Sequence, residues 1–262
     1  MSYSFGDTDL AAERLRILDT VFAPAADGIL DVVSPTPATA ADLGCGPGAT
    51  TARLVRRFAA ARVTGFDASS AFVTAARRGV PDAEFVIADV TGPLPGAPFD
   101  LVYARFLLAH LTDVPGAIAH WLASVGPGGV LVLEETESIR ADEPVFARYE
   151  ALSVARVARS GAAVYAGPAI RAALDSGRLD SDTAADVEIV VDRVLDLRPT
   201  VGQAAAMFWR NLATWGDDAI AQGLIAEADL AHLLTALRAR EGDDSPGPFA
   251  WGHHQTVLRR RS

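Results

Sequence analysis

The chain has 262 residues, 50% of them hydrophobic, and a formal net charge of −10 from 33 Asp and Glu against 23 Lys and Arg. Every one of those bases is arginine, which excludes a P-loop lysine, a lysine Schiff base and a kinase-type strand lysine, because a guanidinium cannot replace the amine that each requires. An acidic chain whose only basic run is Arg259-Arg260-Arg261 also argues against a nucleic-acid or anionic-membrane surface, where phosphate neutralisation needs clustered base. The single cysteine, Cys45, has no partner for an internal disulfide, and histidines at 110, 120, 232, 253 and 254 lack metal-ligand spacing, so no metal is expected. Met1 to Asp7 has no basic and apolar signal pattern, and no uncharged stretch approaches ~18 apolar residues. A cytoplasmic protein with no membrane partner is expected.

In chain order, Leu10, Leu15, Leu18, Val21 and Phe22 share one face of a helix over 10–22, with Asp9 as its cap. Ser34-Pro35-Thr36-Pro37 ends this leader. Four short apolar runs follow, Thr39 to Leu43, Arg62 to Phe66, Glu84 to Ala88 and Asp100 to Ala104, separated by helix-like stretches. That alternation implies parallel strands with crossover helices, hence a doubly wound α/β sheet. A helix opening at Pro115 leads to a fifth strand, Gly129 to Glu134. Two helices over 143–178, a strand from Asp186 to Leu195, two Ala-rich helices over 199–241 and a last strand from Trp251 to Arg259 complete the reading. The expected units are a leader or lid over 1–37, a sheet core over 38–139 plus 249–262, and a strand-six region with a helical lid over 140–248.

Asp42-Leu43-Gly44-Cys45-Gly46-Pro47-Gly48 lies where the first strand turns into a helix. Glycines there let a ligand approach the backbone closely. Gly44-x-Gly46-x-x-Ala49 also satisfies the loose dinucleotide fingerprint, with Asp67 as the ribose acid, so the glycines leave an NAD(P)-dependent oxidoreductase open. The Asp42–Gly48 segment, Gly65-Phe66-Asp67-Ala68-Ser69, Phe85 to Val90 and Val125 to Val130, in that order, resemble the motifs of class I S-adenosylmethionine-dependent methyltransferases, of the broad quinone and natural-product group. The resemblance implies a Rossmann-like, seven-stranded, mostly parallel sheet with an antiparallel last strand and a helical lid insertion. It implies S-adenosyl-L-methionine as cofactor, with Asp42 facing its ammonium, Gly44, Cys45, Gly46 and Gly48 as the floor, Asp67 and Ala68 at the ribose, Asp89 and Val90 at the adenine, and Arg105 toward the methionine end. A non-catalytic module binding the same cofactor is the other alternative. Cys45 reads as filler in the turn rather than a nucleophile.

Methyl transfer needs alignment, exclusion of water and removal of a proton from a neutral acceptor. His110, just beyond strand four, is a candidate base, and Glu134 and Glu135 end strand five on opposite faces, which makes Glu135 a candidate for the acceptor cleft. Tyr3, Phe5, Tyr149, Tyr165, Trp209 and His254 are expected around the acceptor. Aromatics concentrated in the leader and lid suggest a closed apolar pocket for a small organic acceptor whose O, N or C atom is methylated. A homodimer is compatible with the sequence.

Overall fold

The computed structural model describes residues 8–175, 187–247 and 249–261. Its first helix, α1 (Asp9–Leu30), is capped by Thr8, whose hydroxyl accepts from the Ala11 amide at 3.3 Å. Thr8 thus takes the place expected for Asp9, which instead supplies a negative charge to the first turn. The helix runs past residue 22, where the reading ended it, and through Pro24, because Ala25, Ala26, Ile29 and Leu30 are all buried. Ile29 and Leu30 pack on the sheet with Leu54, Tyr103 and Val132, burial that outweighs the hydrogen bond proline removes.

The sheet is built from β1 (Thr39–Leu43), β2 (Arg62–Asp67), β3 (Glu84–Ile87), β4 (Phe99–Arg105), β5 (Val125–Ala141), β6 (Val187–Leu197) and β7 (Phe249–Arg260). Its order is β3-β2-β1-β4-β5-β7-β6. β1 to β5 pair in parallel, while β7 lies antiparallel between β5 and β6. The chain reverses its direction of winding between β1 and β4, and their carboxyl ends leave the crevice in which open α/β sheets bind ligands.

On one sheet face lie α1, α2 (Ala49–Arg57) and α3 (Ser70–Gly79). The other carries α4 (Val114–Ala123) and α6 (Gly167–Asp175), whose Ile118, Trp121, Ile170 and Ala173 join Leu131 and Leu133 in one core. α6 therefore supports the sheet, and the cover over the crevice is narrower than 140–248. It consists of the first half of α1 with α5 (Pro144–Ala158), α7 (Val201–Ala221) and α8 (Glu227–Arg238), packed around Leu18, Phe22, Phe146, Phe208 and Trp215. A capping box at Thr200 and Gln203 fixes the start of α7.

Cover and sheet are joined by a charge cluster around two buried guanidiniums. Asp19 of α1 accepts from Arg105 at 2.6 Å and from Arg53 of α2 at 3.0 Å, and Arg53 also reaches Asp27 at 2.5 Å. Burial alone would raise the Asp19 carboxyl, but Arg105 and Arg53 outweigh it and hold it below the usual range. Removing one member of such a cluster leaves buried charge uncompensated. Asp19→Ala is predicted to lower the free energy of unfolding by about 3 kcal/mol, whereas Asp31→Ala, which breaks an exposed pair with Arg57, should cost under about 1 kcal/mol. Urea unfolding of the two variants measures the difference, and equal losses would contradict the role given to Asp19.

Candidate functional site

A cavity of about 380 Å³ opens at the carboxyl ends of β1, β2, β3 and β4 and continues beneath the cover. Its floor is the turn after β1, where Gly44 and Gly46 take φ of +65° and +54°. Its positive φ favours glycine at 44, and a Cβ there would also lie 2.8 Å from a Leu107 methyl, which would have to shift. Several of the turn's amides are committed internally: Cys45 donates to the Phe66 carbonyl at 3.0 Å, Gly48 to the Cys45 carbonyl at 3.0 Å, and Gly46 to Asp67 Oδ2 at 2.8 Å. A pyrophosphate would need those N–H groups, and it would meet the Asp67 carboxylate at Gly46. The floor therefore disfavours a dinucleotide.

Asp67 Oδ1 accepts from the Ser69 amide at 2.8 Å, which fixes the carboxylate in place while leaving lone pairs for a diol. Asp89 is held similarly: its Oδ1 accepts from the Thr91 amide at 2.9 Å and hydroxyl at 2.7 Å, and these bonds hold the carboxyl below its usual range. α4 anchors the same segment through Trp121, which donates to the Val90 carbonyl at 2.9 Å. Arg105 lines the cavity with one guanidinium nitrogen on Asp19, while Nη1 is buried with no hydrogen-bond partner among the described residues. A buried, unpaired cationic donor is costly unless an anion completes it.

The wall between floor and cover is the chain leaving β4. Phe106 is held at φ +54°, the one non-glycine with positive φ among the described residues, and such a conformation persists only where its surroundings impose it. Here β5 imposes it: Phe106 donates to the Glu134 carbonyl at 2.8 Å, and Glu135 Oε1 accepts from the Leu107 and Leu108 amides at 2.7 and 2.6 Å. Glu135 is thus a clamp behind the wall and does not line the cavity, which corrects its assignment as an acceptor-site residue. Burial pushes its carboxyl up to about 8 against the pull of those amides. Glu134 does point to the opposite face, where Tyr103, His253 and Gln255 surround it. His110 follows on the wall and lines the cavity. Burial, with the Arg14 and Arg156 charges, lowers its imidazole to about 4, so it is neutral at pH 7.

Gly44, Cys45, Gly46, Asp67, Ala68, Asp89, Val90, Arg105, His110 and Tyr149 are brought together around this one cavity. Burial and the Asp42 and Asp67 charges push the Cys45 thiol up, which keeps it a thiol. Other expected positions lie elsewhere. Asp42 is buried beneath the turn, accepting from the Thr51 hydroxyl at 2.6 Å, and burial raises its carboxyl to about 7. Gly48 caps α2 behind the floor and contacts α3. Tyr165 donates to Glu150 but does not itself line the cavity. Trp209 faces outward to Glu241 at 2.7 Å and stacks under Arg210 and Arg238. His254 sits on the α6 side of the sheet, bonded to Asp192 at 2.5 Å. These corrections share a cause, since residue type alone does not give the rotation of a helix or the face of a strand. Tyr3 and Phe5 lie outside the described residues.

The cavity takes in Phe208 of α7, one of the lid aromatics, and also recruits residues that the sequence reading passed over: Arg14 from α1, Met207 and Asn211 from α7, and Trp251 from β7. Arg14 was detectable as a charge placed four residues after Leu10 and four before Leu18, on the apolar stripe of α1. Asn211 carried no such signal within its Ala-rich helix.

Residues 41–133 match the family model described as a methyltransferase domain. Among curated proteins, the chain is 37% identical over 132 residues to a trans-aconitate 2-methyltransferase of Azoarcus sp. strain BH72 and 39% identical over 124 residues to one of Shigella dysenteriae serotype 1. These stretches cover 50% and 47% of this chain, and the chain spans about half the length of each relative, 51% and 46%. Among solved structures, Haemonchus contortus phosphoethanolamine N-methyltransferase 2 in complex with S-adenosyl-L-methionine superposes with a TM-score of 0.55 at 13% identity, over 95% of this chain and 57% of that one. The cyclase SpnF superposes with a TM-score of 0.52 at 20% identity, over 91% of this chain and 80% of that one. A cyclase on the same fold shows that the fold by itself does not fix the reaction. The matched segment, residues 41–133, contains all four of the motifs described above and is similar to a methyltransferase domain.

Proposed function

We propose that this protein transfers a methyl group from S-adenosyl-L-methionine to a small organic acceptor held beneath the cover. The observation that carries the reading is the single cavity joining the Gly44–Gly46 floor, the fixed Asp67 carboxylate and the unpaired Arg105 Nη1 to an enclosed half under α5 and α7. The cofactor fits this donor set: its carboxylate satisfies Arg105 Nη1, its ribose hydroxyls donate to Asp67, and its adenine amino group lies at Asp89 with Ala68 and Val90 beside the ring. No lysine is required, because the cofactor has no phosphate. Asp42 acts from below the floor, as a carboxyl whose ionisation a bound cation favours.

S-adenosylmethionine supplies an electrophilic methyl carbon on a sulfonium. The protein's part is to align the acceptor opposite that carbon and keep water out, which the cover helices and the Phe106–Leu111 wall do. His110 lines the same cavity as a neutral imidazole, able to orient the acceptor by hydrogen bonding, while its lowered pKa of about 4 makes it a weak base. None of the described helices is long and apolar enough to cross a membrane, in keeping with an acceptor drawn from solution.

Two outcomes check this reading. Asp67→Ala should weaken S-adenosylhomocysteine binding by about 10- to 100-fold in calorimetry, the loss of charge-assisted bonds worth about 1.5–3 kcal/mol; an unchanged Kd would sink the assignment. The second concerns His110. Its folded pKa of about 4 lies below the ordinary 6.5, so between these values the unfolded chain binds a proton that the folded chain excludes. Stability should therefore fall as pH drops from about 6.5 towards 4. His110→Asn, unfolded in urea at pH 7 and pH 5, should lose less stability over that interval than the wild type, and an identical loss would contradict a buried neutral imidazole.

A further inference from the structure

We infer that the acceptor is a largely apolar molecule with one acidic hydroxyl, of the phenol or enol type, and that it enters with this hydroxyl towards Arg14, His110 and Asn211. The inference rests on the methyltransferase reading and specifies its substrate class. The segment matching the family model ends at residue 133, ahead of α5, α7 and α8, so the helices that shape the acceptor half lie outside the matched domain.

The charge inventory of that half is short. Asp67, Asp89 and Arg105 belong to the cofactor floor, which among the described residues leaves Arg14 and Glu150 as the charged lining, with Glu150 accepting from the Tyr165 hydroxyl. The rest is mainly apolar, including Leu18, Ile139, Val157, Met207, Phe208 and Trp251. A tricarboxylate such as trans-aconitate, the acceptor named for the curated relatives, would bring about three negative charges to one guanidinium and an opposing carboxylate. Each unmatched carboxylate carries a desolvation penalty of several kcal/mol.

One end of this apolar chamber is polar and incomplete. Asn211 is 6% exposed; its amide donates to the Tyr149 hydroxyl at 2.5 Å, while Oδ1 has no hydrogen-bond partner among the described residues. An unpartnered buried carbonyl oxygen calls for a donor, which a hydroxyl supplies and a carboxylate does not. The Arg14 and Arg156 charges act on both His110 and Tyr149, giving this end a positive potential that favours ionisation of a bound hydroxyl. In the reaction, an O–CH3 bond forms as the S–CH3 bond breaks, the bonding pair returns to sulfur to give the thioether, and the hydroxyl proton is released to solvent water, the Arg14 and Arg156 charges favouring the anionic oxygen.

The test uses the full chain saturated with S-adenosylhomocysteine and three probes in calorimetry: 2-naphthol, 2-methoxynaphthalene and trans-aconitate. 2-Naphthol is expected to bind at least about tenfold more tightly than its methyl ether, which lacks the donor, a difference of about 1.4 kcal/mol. trans-Aconitate is expected not to bind, and with S-adenosylmethionine 2-naphthol should gain one methyl group by mass spectrometry. Asn211→Leu should remove the preference for naphthol over its ether while S-adenosylhomocysteine affinity is kept. Equal affinity for naphthol and its ether in the wild type, or tighter binding of trans-aconitate than of naphthol, would overturn the inference whether or not the variant folds. Because every calorimetric arm requires bound S-adenosylhomocysteine, failure of that binding indicts the methyltransferase reading instead, and a result against naphthol with S-adenosylhomocysteine bound indicts only the acceptor class.

Discussion

The structure hinges on one half-buried carboxylate. Asp19, on the helix that covers the crevice, is shared by Arg53 on the first crossover helix and Arg105 at the end of β4. Two guanidiniums in a dry setting need a counter-charge, and a single aspartate between them settles the position of three elements at once. Through Arg105 the same bond sets one edge of the cofactor floor, because this side chain lines the cavity and, with Nη2 on Asp19, its Nη1 is left without a hydrogen-bond partner among the described residues. Cover and floor are therefore coupled by geometry as well as by chain connectivity.

The cavity wall follows a similar logic, with β5 acting on the exit from β4. A left-handed Phe106 would relax if free; the Glu134 carbonyl and the Glu135 carboxyl group take the three successive amides of residues 106, 107 and 108 and keep the chain turned. Leu107 is thereby pressed against Gly44 from one side, while His110 is brought into the cavity from the other. Two adjacent glutamates thus serve the site from behind it, on opposite faces of one strand, and neither has to touch a ligand.

Much of the sheet was legible in the sequence because parallel strands buried on both faces read as short apolar runs, and because turns that need positive φ advertise themselves through glycine. The floor was legible for that reason, and so were Asp67 and Asp89 at strand ends. The cover was legible only in composition. An aromatic or histidine on a lid helix belongs to the cavity or to its outside according to a rotation of the helix that depends on packing. Trp209 turned out towards Glu241 while its neighbour Phe208 turned in. Asp42 and Glu135 were chemically plausible ligand contacts by position, yet each is spent on a hydrogen bond that organises a turn. The bounds of α1 failed for a simpler reason: proline inside a helix reads as a stop unless the burial beyond it is known.

The central claim is that the β1 turn, Asp67 and Arg105 form a S-adenosylmethionine site whose methyl direction opens into the covered half of the cavity. A crystal structure of the protein with S-adenosylhomocysteine tests this most directly. The account predicts ribose hydroxyls on the Asp67 carboxylate, the amino-acid carboxylate within hydrogen-bonding distance of Arg105 Nη1, and the sulfur facing the chamber that contains His110 and Asn211. A ligand bound with its ribose away from Asp67, or with its sulfur turned to solvent rather than to that chamber, would contradict it.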